Sequence, residues 1–448
     1  MESKAASVDR VKNTINTRSM RVGVIGMGYV GLPLALLFSS EGFPVTGFDI
    51  DGQKVTTLNS GGSYIYRIAP EEIRSAQKRG FNATADYSVI QQMDAVVICV
   101  PTPLNEYREP DLSFIVSTAE SIAPHVRAGQ LIVLESTTYP GTTEEVVVPI
   151  LEKKNASGLR VARGTESSDC FYVAFSPERE DPGNDQVARH DIPKVIGGCN
   201  SKASELAAAL YGSIFKRTVV VSSPATAEMC KLLENIYRCV NIALVNELKL
   251  LCLKMGIDIW EVIAAASTKP FGFQPFYPGP GLGGHCIPVD PFYLSWKAKE
   301  FDFQTRFIEL AGEINTAMPY HVVNSIATAL NEHKKPLNGS RVLVLGIAYK
   351  KDIDDLRESP SLTIIELLRE HGAIVSYHDP FFPRVGKGRR YDLQMTCASL
   401  DDLGSYDCVV IVTDHSTYDY PAIVRDAQLV VDTRNATKGI DSPKVVRC

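Results

Sequence analysis

Val22-Gly23-Val24-Ile25-Gly26-Met27-Gly28-Tyr29-Val30-Gly31-Leu32-Pro33 places a β-branched run, a glycine turn and the start of an apolar helix in direct succession. A second apolar run, 45–49, closes on Asp49, 18 residues after Gly31. Each residue type has a physical role in holding a dinucleotide. Gly26, Gly28 and Gly31 supply a tight turn, close approach to a pyrophosphate and close helix packing, and the turn, with Tyr29 and Val30 in it, leads into a helix-like run at 32–40 whose N-terminus faces the phosphates. Asp49 accepts hydrogen bonds from ribose hydroxyls. With Asp51 beside it, it repels a 2′-phosphate, which favours NAD over NADP. A purely structural glycine turn is the alternative, but it does not require strand, helix, second strand and acid to arrive in this order.

Outward from this stretch, strand-like runs at 95–100, 131–135 and 172–175 alternate with helical segments, the signature of a doubly wound parallel sheet. The character changes after Pro224. Residues 226–255 form one long helical pattern, 270–291 a Gly/Pro/aromatic loop, and 307–331 more helix. At Arg341 the strand–turn–helix–strand order returns, with 342–345, Gly346, 362–371 and 375–379. Asp94-Ala95-Val96-Val97-Ile98-Cys99-Val100 and Asp407-Cys408-Val409-Val410-Ile411-Val412-Thr413 are alike, a weak internal repeat. Only the first half carries the full glycine pattern, so only it is expected to bind a dinucleotide.

The 448 residues suffice for two or three domains with cores of their own. A net charge of -6 and a pI near 5.8 give no global attraction to nucleic acid or anionic membranes, and leave room for a local basic pocket. No apolar run nears the ~20 residues of a membrane span, and residues 1–20 lack the apolar region of a signal peptide. Cytoplasmic residence is the expectation; the role of residues 1–20 is open. The ten cysteines contain no C-x-x-C pair, so neither a metal site nor a dithiol motif is expected. Cys99 and Cys408 lie in apolar runs and read as inert core residues.

Gly279-Pro280-Gly281-Leu282-Gly283-Gly284-His285-Cys286-Ile287-Pro288-Val289-Asp290-Pro291 holds a cysteine in a glycine-rich loop, four residues before an aspartate. Such a loop keeps a thiol accessible; a tight turn with a buried cysteine is the alternative. His285 is a loop neighbour of Cys286, which does not make the two a dyad. Lys231, Asn235 and Arg238 fall at i, i+4 and i+7 on the long helix, next to an apolar face of Leu232, Leu233, Ile236, Val240 and Leu244. They form either a solvated stripe or one facing a site. Glu135-Ser136-Thr137-Thr138 and Ser176-Pro177-Glu178-Arg179 close strands where such sheets bind ligands, or merely end those strands. Pro101-Thr102-Pro103, after the strand at 95–100, lines the same crevice or is only a rigid turn.

Together these motifs (26–33, 135–142, 176–183, 228–247, 279–291 and 346–359) resemble those of the UDP-glucose/GDP-mannose dehydrogenase family, from about Arg21 to Ala436. The resemblance implies an α/β chain of two Rossmann-like doubly wound domains joined by a long central helix and a helical dimerisation domain. Its expected parts are an N-terminal extension (1–20), an NAD domain (21–222), a central domain with the cysteine loop (223–332) and a UDP-sugar domain (333–448). It implies a homodimer or larger homo-oligomer and two NAD-dependent oxidations of a sugar C6 alcohol to a carboxylate. Cys286 matches the family's nucleophile, Lys231 and Asn235 its oxyanion donors, and Asp290 the acid assisting lysine or water. Thr137 and Glu178 match residues of proton transfer and water positioning, with Thr137 also near the cofactor. Lys350, Lys351 and Arg434 match basic positions of the UDP domain, and Gly283 lies in the substrate-facing loop; Lys351 reads equally as a surface charge.

Glucose-oxidising members carry a second glutamate four residues after the one matched by Glu178, where this chain has Pro182. The run ending in Pro182-Gly183, Arg238 and Lys269-Pro270-Phe271-Gly272-Phe273 resemble UDP-N-acetylhexosamine dehydrogenases, with Arg179 or Arg238 as donor to an acetamide. UDP-N-acetylglucosamine is the expected substrate. UDP-N-acetylmannosamine, UDP-N-acetylgalactosamine, UDP-glucose and GDP-mannose are the alternatives. An inactive sugar-nucleotide sensor would be marked by loss of Cys286 or Lys231, and both are present. A 3-hydroxyacid dehydrogenase would leave the cysteine loop and second α/β domain unexplained.

Overall fold

The computed structural model describes residues 6–65, 67–105, 107–164, 170–179, 188–284, 287–388 and 391–448. The chain divides into two compact units, Met1–Glu234 with Phe292–Phe303, and Asn235–Pro291 with Gln304–Cys448.

In the first unit, α1 (Ala6–Asn16) precedes β1 (Val22–Ile25), α2 (Gly31–Ser40), β2 (Val45–Phe48), α3 (Gly52–Asn59), α4 (Pro70–Lys78) and β3 (Asn82–Thr84). Next come β4 (Ala95–Ile98), α5 (Ser113–Ile122), β5 (Leu131–Leu134), α6 (Val148–Lys154), β6 (Arg160–Val161) and β7 (Cys170–Phe175). The sheet continues through β8 (Lys194–Gly198), α7 (Ser201–Gly212) and β9 (Thr218–Val221). The strand order is β3-β2-β1-β4-β5-β7-β8-β9, with β6 beside β7. Strands β1, β2, β4 and β5 are buried along their whole length, because helices cover both faces; this is why β1, β4 and β5 read as unbroken apolar runs, while Thr46 of β2 is bonded to Asn82 Oδ1 at 3.1 Å. The order reverses at β1, which pairs with β2 on one side and β4 on the other, and opens a crevice beyond their carboxyl ends.

Two expectations need correction here. The sheet is not wholly parallel: β8 runs against β7, pairing Ala174 with Gly198 and Phe175 with Gly197. Among the described residues their connection holds only a short 3-10 turn, Arg189–Asp191, and no crossover helix of the kind a parallel return requires. Cys99 is also not a core strand residue. It follows β4 and is half-buried, whereas Cys408 lies in a strand and its burial pushes the thiol far above the ordinary range.

Helix α8 (Pro224–Met255) runs through the division between the units. Some of its polar residues are buried where leucines are not: Asn235 is fully buried and Lys231 is 6% exposed, whereas Leu233 is 60% and Leu244 51% exposed. The leucines counted on the apolar face therefore split, with Leu232 inside and Leu233 and Leu244 outside.

The second unit adds α9 (Ile259–Ala266), the start of α10 (Asp290–Ala298) and α11 (Arg306–Glu332). Its α/β part holds β10 (Arg341–Leu345), α12 (Pro360–Glu370), β11 (Ile374–His378), β12 (Arg384–Lys387), β13 (Asp392–Thr396), β14 (Cys408–Ile411), α13 (Tyr420–Asp426), β15 (Val430–Asp432) and β16 (Val445–Arg447). Five strands form a parallel sheet in the order β11-β10-β14-β15-β16, and β12–β13 is a separate hairpin. Among the described residues no helix is long and apolar enough to cross a membrane.

Candidate active site

In the first unit the crevice begins at Gly26. Its φ is +92°, and a Cβ there would stand 2.6 Å from the Cys99 carbonyl, so only glycine fits this turn. Gly28 is different. A Cβ there would meet nothing within 4 Å, so the protein's own packing does not demand glycine and the open space suits a pyrophosphate. Tyr29 (49% exposed) and Val30 (36%) lead into α2 with their side chains outward. The Asp49 carboxylate accepts the Met27 amide at 2.9 Å and the Asp51 amide at 2.9 Å, so the acid also shapes the turn. Lys54 Nζ stands 3.3 Å from it, and the Tyr64 hydroxyl donates to the Met27 carbonyl at 2.5 Å. Burial, with Asp49 and Asp51 nearby, pushes the Tyr64 phenol far up. These residues fit NAD: an acid for the ribose, a glycine turn and a helix N-terminus for the phosphates.

Past β4, Pro101 is exposed and Thr102 buried, its carbonyl accepting the Tyr293 hydroxyl. Ser136 Oγ donates to the Val100 carbonyl at 2.7 Å and so fixes the same turn to the end of β5. Thr137 is half-buried. The Thr138 hydroxyl is buried without a hydrogen-bond partner. Glu228 of α8 accepts the Gly141 amide at 2.6 Å, the Thr143 amide at 2.9 Å and the Thr143 hydroxyl at 2.6 Å, which ties this loop to the helix carrying Lys231.

Glu178 and Lys231 meet: the lysine ammonium donates to the Glu178 backbone carbonyl, and Glu178 Oε1 accepts the Arg179 amide at 2.7 Å. Lys194 Nζ lies 3.5 Å from Glu178 Oε2 and 2.9 Å from Glu135 Oε2. Motif reading missed Lys194; its signal was a lone lysine opening the apolar run 194–198. Arg179 is less available than expected. Its guanidinium holds Glu234 at 2.6 and 3.2 Å and the Pro193 carbonyl at 2.6 Å, which removes it as the simplest donor to an acetamide.

In the second unit, buried Asn235 donates through Nδ2 to Asp290 Oδ2 at 2.5 Å and accepts from Arg238 Nη2. Three of the residues singled out in the sequence thus form one cluster. The glycine loop is anchored by two residues that motif reading missed. The Gly279 amide donates to Asn246 Oδ1 at 2.9 Å, and Asn246 Nδ2 to Asn315 Oδ1 at 2.9 Å. A Cβ on Gly283 would come within 2.5 Å of Tyr349, so glycine there lets the loop lie against the turn carrying Lys350. Lys350 is half-buried; Lys351 is 47% exposed and 3.9 Å from Asp414, a surface charge. Arg434 Nε donates to the Val412 carbonyl at 3.0 Å, and burial draws its pKa below the usual arginine value. Cys286, His285, Pro182 and Gly183 lie outside the described residues.

A dinucleotide crevice, a second α/β unit with half-buried basic residues and a buried Asn235–Asp290 pair joining α8 to the start of α10 define an NAD-dependent dehydrogenase of nucleotide sugars. The comparisons agree along the chain. Residues 20–215 match the NAD binding domain, 225–317 the central domain and 343–439 the UDP binding domain of the UDP-glucose/GDP-mannose dehydrogenase family. The chain belongs to that family. It is 35% identical over 402 residues to a UDP-N-acetyl-D-glucosamine 6-dehydrogenase of Pseudomonas aeruginosa, covering 90% of this chain and 92% of the relative. It is also 35% identical to an NDP-N-acetyl-D-galactosaminuronic acid dehydrogenase of Ralstonia nicotianae, covering 92% of this chain and 95% of the relative. The solved UDP-D-ManNAc dehydrogenase of Pyrococcus horikoshii superposes with a TM-score of 0.83 at 34% identity, covering 95% of this chain and 97% of that one.

Proposed function

We propose that this dehydrogenase oxidises the C6 alcohol of a UDP-N-acetylhexosamine, UDP-N-acetylglucosamine first, to the uronic acid through a thiohemiacetal and a thioester on Cys286. The buried Asn235–Asp290 bond, one turn of α8 beyond Lys231, carries this reading. It keeps an uncharged amide donor and a carboxylate together out of water, an arrangement that structural packing alone rarely maintains.

NAD, held by Gly26, Gly28, Gly31 and Asp49, would supply the hydride acceptor for each of the two oxidations at C6. The Cys286 sulfur adds to the aldehyde carbon, and Lys231 and Asn235 donate to the oxygen that gains charge. A well-placed donor of this kind contributes about 3–4 kcal/mol to such a step. In the last step water adds to the thioester carbon, the C–S bond breaks, and the sulfur leaves with the electron pair. Glu178 takes the water's proton. Asp290 holds the Asn235 amide in its donating orientation, and Thr137 lines the nicotinamide end of the crevice. Lys350, Arg434 and Gly283 face the UDP moiety.

With Arg179 held by Glu234, Arg238 is the proposed donor to the acetamide, through a guanidinium that touches Asn235. Epimers at C2 or C4, the UDP-N-acetylmannosamine and UDP-N-acetylgalactosamine named for relatives, are the second reading. The exposed leucines of α8 support a homodimer built on that helix. Nine free cysteines among the described residues, beside a required thiolate, fit the reducing cytoplasm as the place of action.

The test is NADH formed per sugar consumed across a panel of UDP-sugars. Two NADH per UDP-N-acetylglucosamine support the proposal, and one NADH with released aldehyde overturns the thioester step. Cys286→Ala should make no acid.

A further inference from the structure

The deepest charged cluster of the first unit serves no step so far described. Lys194, at the start of β8, has a side chain 3% exposed and stands between two carboxylates. Glu135, just past β5, has no side-chain exposure, and Glu178, just past β7, has 16%. Glu135 is also held from the other side, where Oε1 accepts the Tyr211 hydroxyl from α7. The Tyr211 and Phe215 rings lie 5.1 and 5.5 Å from the ammonium and close off the remaining approach. Burial works against the Lys194 ammonium, but Glu135 and Glu178 outweigh it and hold its pKa above the usual lysine value. Burial likewise pushes Glu135 up, against the pull of Lys194.

We propose that Lys194 and Glu135 are a buried positioning pair that orients Glu178 and, by leaving the cluster one negative charge in excess, readies it to take a proton. This rests on the reading of Glu178 as the acceptor of the water's proton. Two carboxylates around one ammonium carry a net charge of minus one in a site largely closed to water. A proton arriving on Glu178 cancels that charge while Lys194 and Glu135 remain a neutral pair. The position is fixed as well: Oε2 faces Lys194 at 3.5 Å and Oε1 accepts the Arg179 amide at 2.7 Å. The other groups around the cluster are already committed. Lys231 of α8 donates to the Glu178 backbone carbonyl, and Arg179 pairs with Glu234. The Cys99 thiol past β4 also acts electrostatically on Lys194 and Tyr211.

Single changes at the two residues should move Glu178 in opposite directions, which loss of packing cannot do. Glu135→Gln removes the competing anion and should lower the pH at which Glu178 titrates. Lys194→Met removes the cation and should raise it, each by about one to three pH units. Lys194→Arg keeps the charge and should restore the wild-type value. Lys194→Met leaves Glu135 buried without a cation, so the neutral double variant Glu135→Gln/Lys194→Met guards against misfolding; its Glu178 should titrate between the two single variants.

Two readouts separate this inference from the function beneath it. Carboxyl infrared difference spectra, with Glu178→Gln as the blank, follow Glu178 without turnover. The acid limb of the pH profile for acid release follows it during turnover. Opposite shifts in the spectra support the pair, and an unmoved midpoint overturns it. A Glu178→Gln enzyme that still hydrolyses the thioester at wild-type rate removes the catalytic reading of Glu178, whatever the spectra show.

Discussion

The His415 ring nitrogen Nε2 lies 3.1 Å from Asp379 Oδ2, and this contact distinguishes the second α/β unit from the first. Asp379 follows β11 as Asp49 follows β2, and it accepts the amides of Ile347 and Ala348 at 2.7 and 3.0 Å, much as Asp49 accepts that of Met27. The Asp352 amide donates to His415 Nδ1 at 3.0 Å, so the ring proton sits on Nε2 and points at the acid. Where Lys54 stands beside the acid of the first unit, the second sets its own imidazole against the corresponding acid.

Asp379 should therefore act as an acid-labile lock. Burial opposes its ionisation, but the His415 hydrogen bond and the Phe381 and Ala348 amides outweigh that and hold its pKa below the ordinary value. A depressed carboxylate adds stability that is complete above its unfolded pKa, near 3.9, and is lost as pH falls through the folded value. Asp379→Asn should cost about 1–3 kcal/mol at neutral pH and flatten the acid side of the stability curve. Urea midpoints between pH 3 and 6 measure it. An Asn variant with the wild-type acid slope would sink the argument.

Asp49 makes a different prediction, about cofactor choice. Asp49→Ser removes a charged acceptor and the repulsion of a 2′-phosphate. kcat/KM for NAD should fall about ten- to a hundredfold, and the preference over NADP should narrow. Steady-state rates with both dinucleotides test this; an unchanged ratio would assign Asp49 to the turn alone.

The two halves were legible in the sequence to different degrees. Strands β1, β4 and β5 announce themselves because burial on both faces favours apolar residues throughout. Asn235 and Arg238 were legible as neighbours because helical spacing sets them on one face, and Asp290 joins them from 55 residues away. Lys194, Asn246 and Asn315 were not. Each is a single polar residue in an apolar stretch, and its meaning lies in a partner 59 residues away for Lys194 and 69 for the Asn246–Asn315 pair. Helix α8 misled for a related reason: its buried polar side and exposed leucines invert the usual pattern of a solvated helix.

That inversion predicts an assembly. Leu233, Tyr237, Leu244, Leu248 and Leu251 are all exposed, and an apolar row of this size is seldom left in water. Leu244→Asp with Leu251→Asp should yield a monomer by sedimentation velocity, each change forfeiting about 1.5–3 kcal/mol of burial. A double variant that sediments like the wild type would place the contact elsewhere.

Glu228 supplies the last prediction, with the opposite pH sign to Asp379. Burial pushes its carboxyl up to about 7, against the Thr143 hydroxyl and the amides of Thr143 and Gly141. An unfolded glutamate titrates near 4.3. Between that pH and about 7 the native state binds a proton that the unfolded chain has released, so stability falls as pH rises through this window. The fall should be on the order of 3 kcal/mol. Glu228→Gln cannot titrate and should lack the slope. It should also lose about 1 kcal/mol throughout, because one amide oxygen must replace two carboxylate oxygens facing three donors. The two proteins' urea midpoints should therefore cross as pH rises from 4.5 to 7.5, leaving Glu228→Gln the more stable by about 2 kcal/mol at the upper end, and parallel curves would show that Glu228 stays ionised across the range.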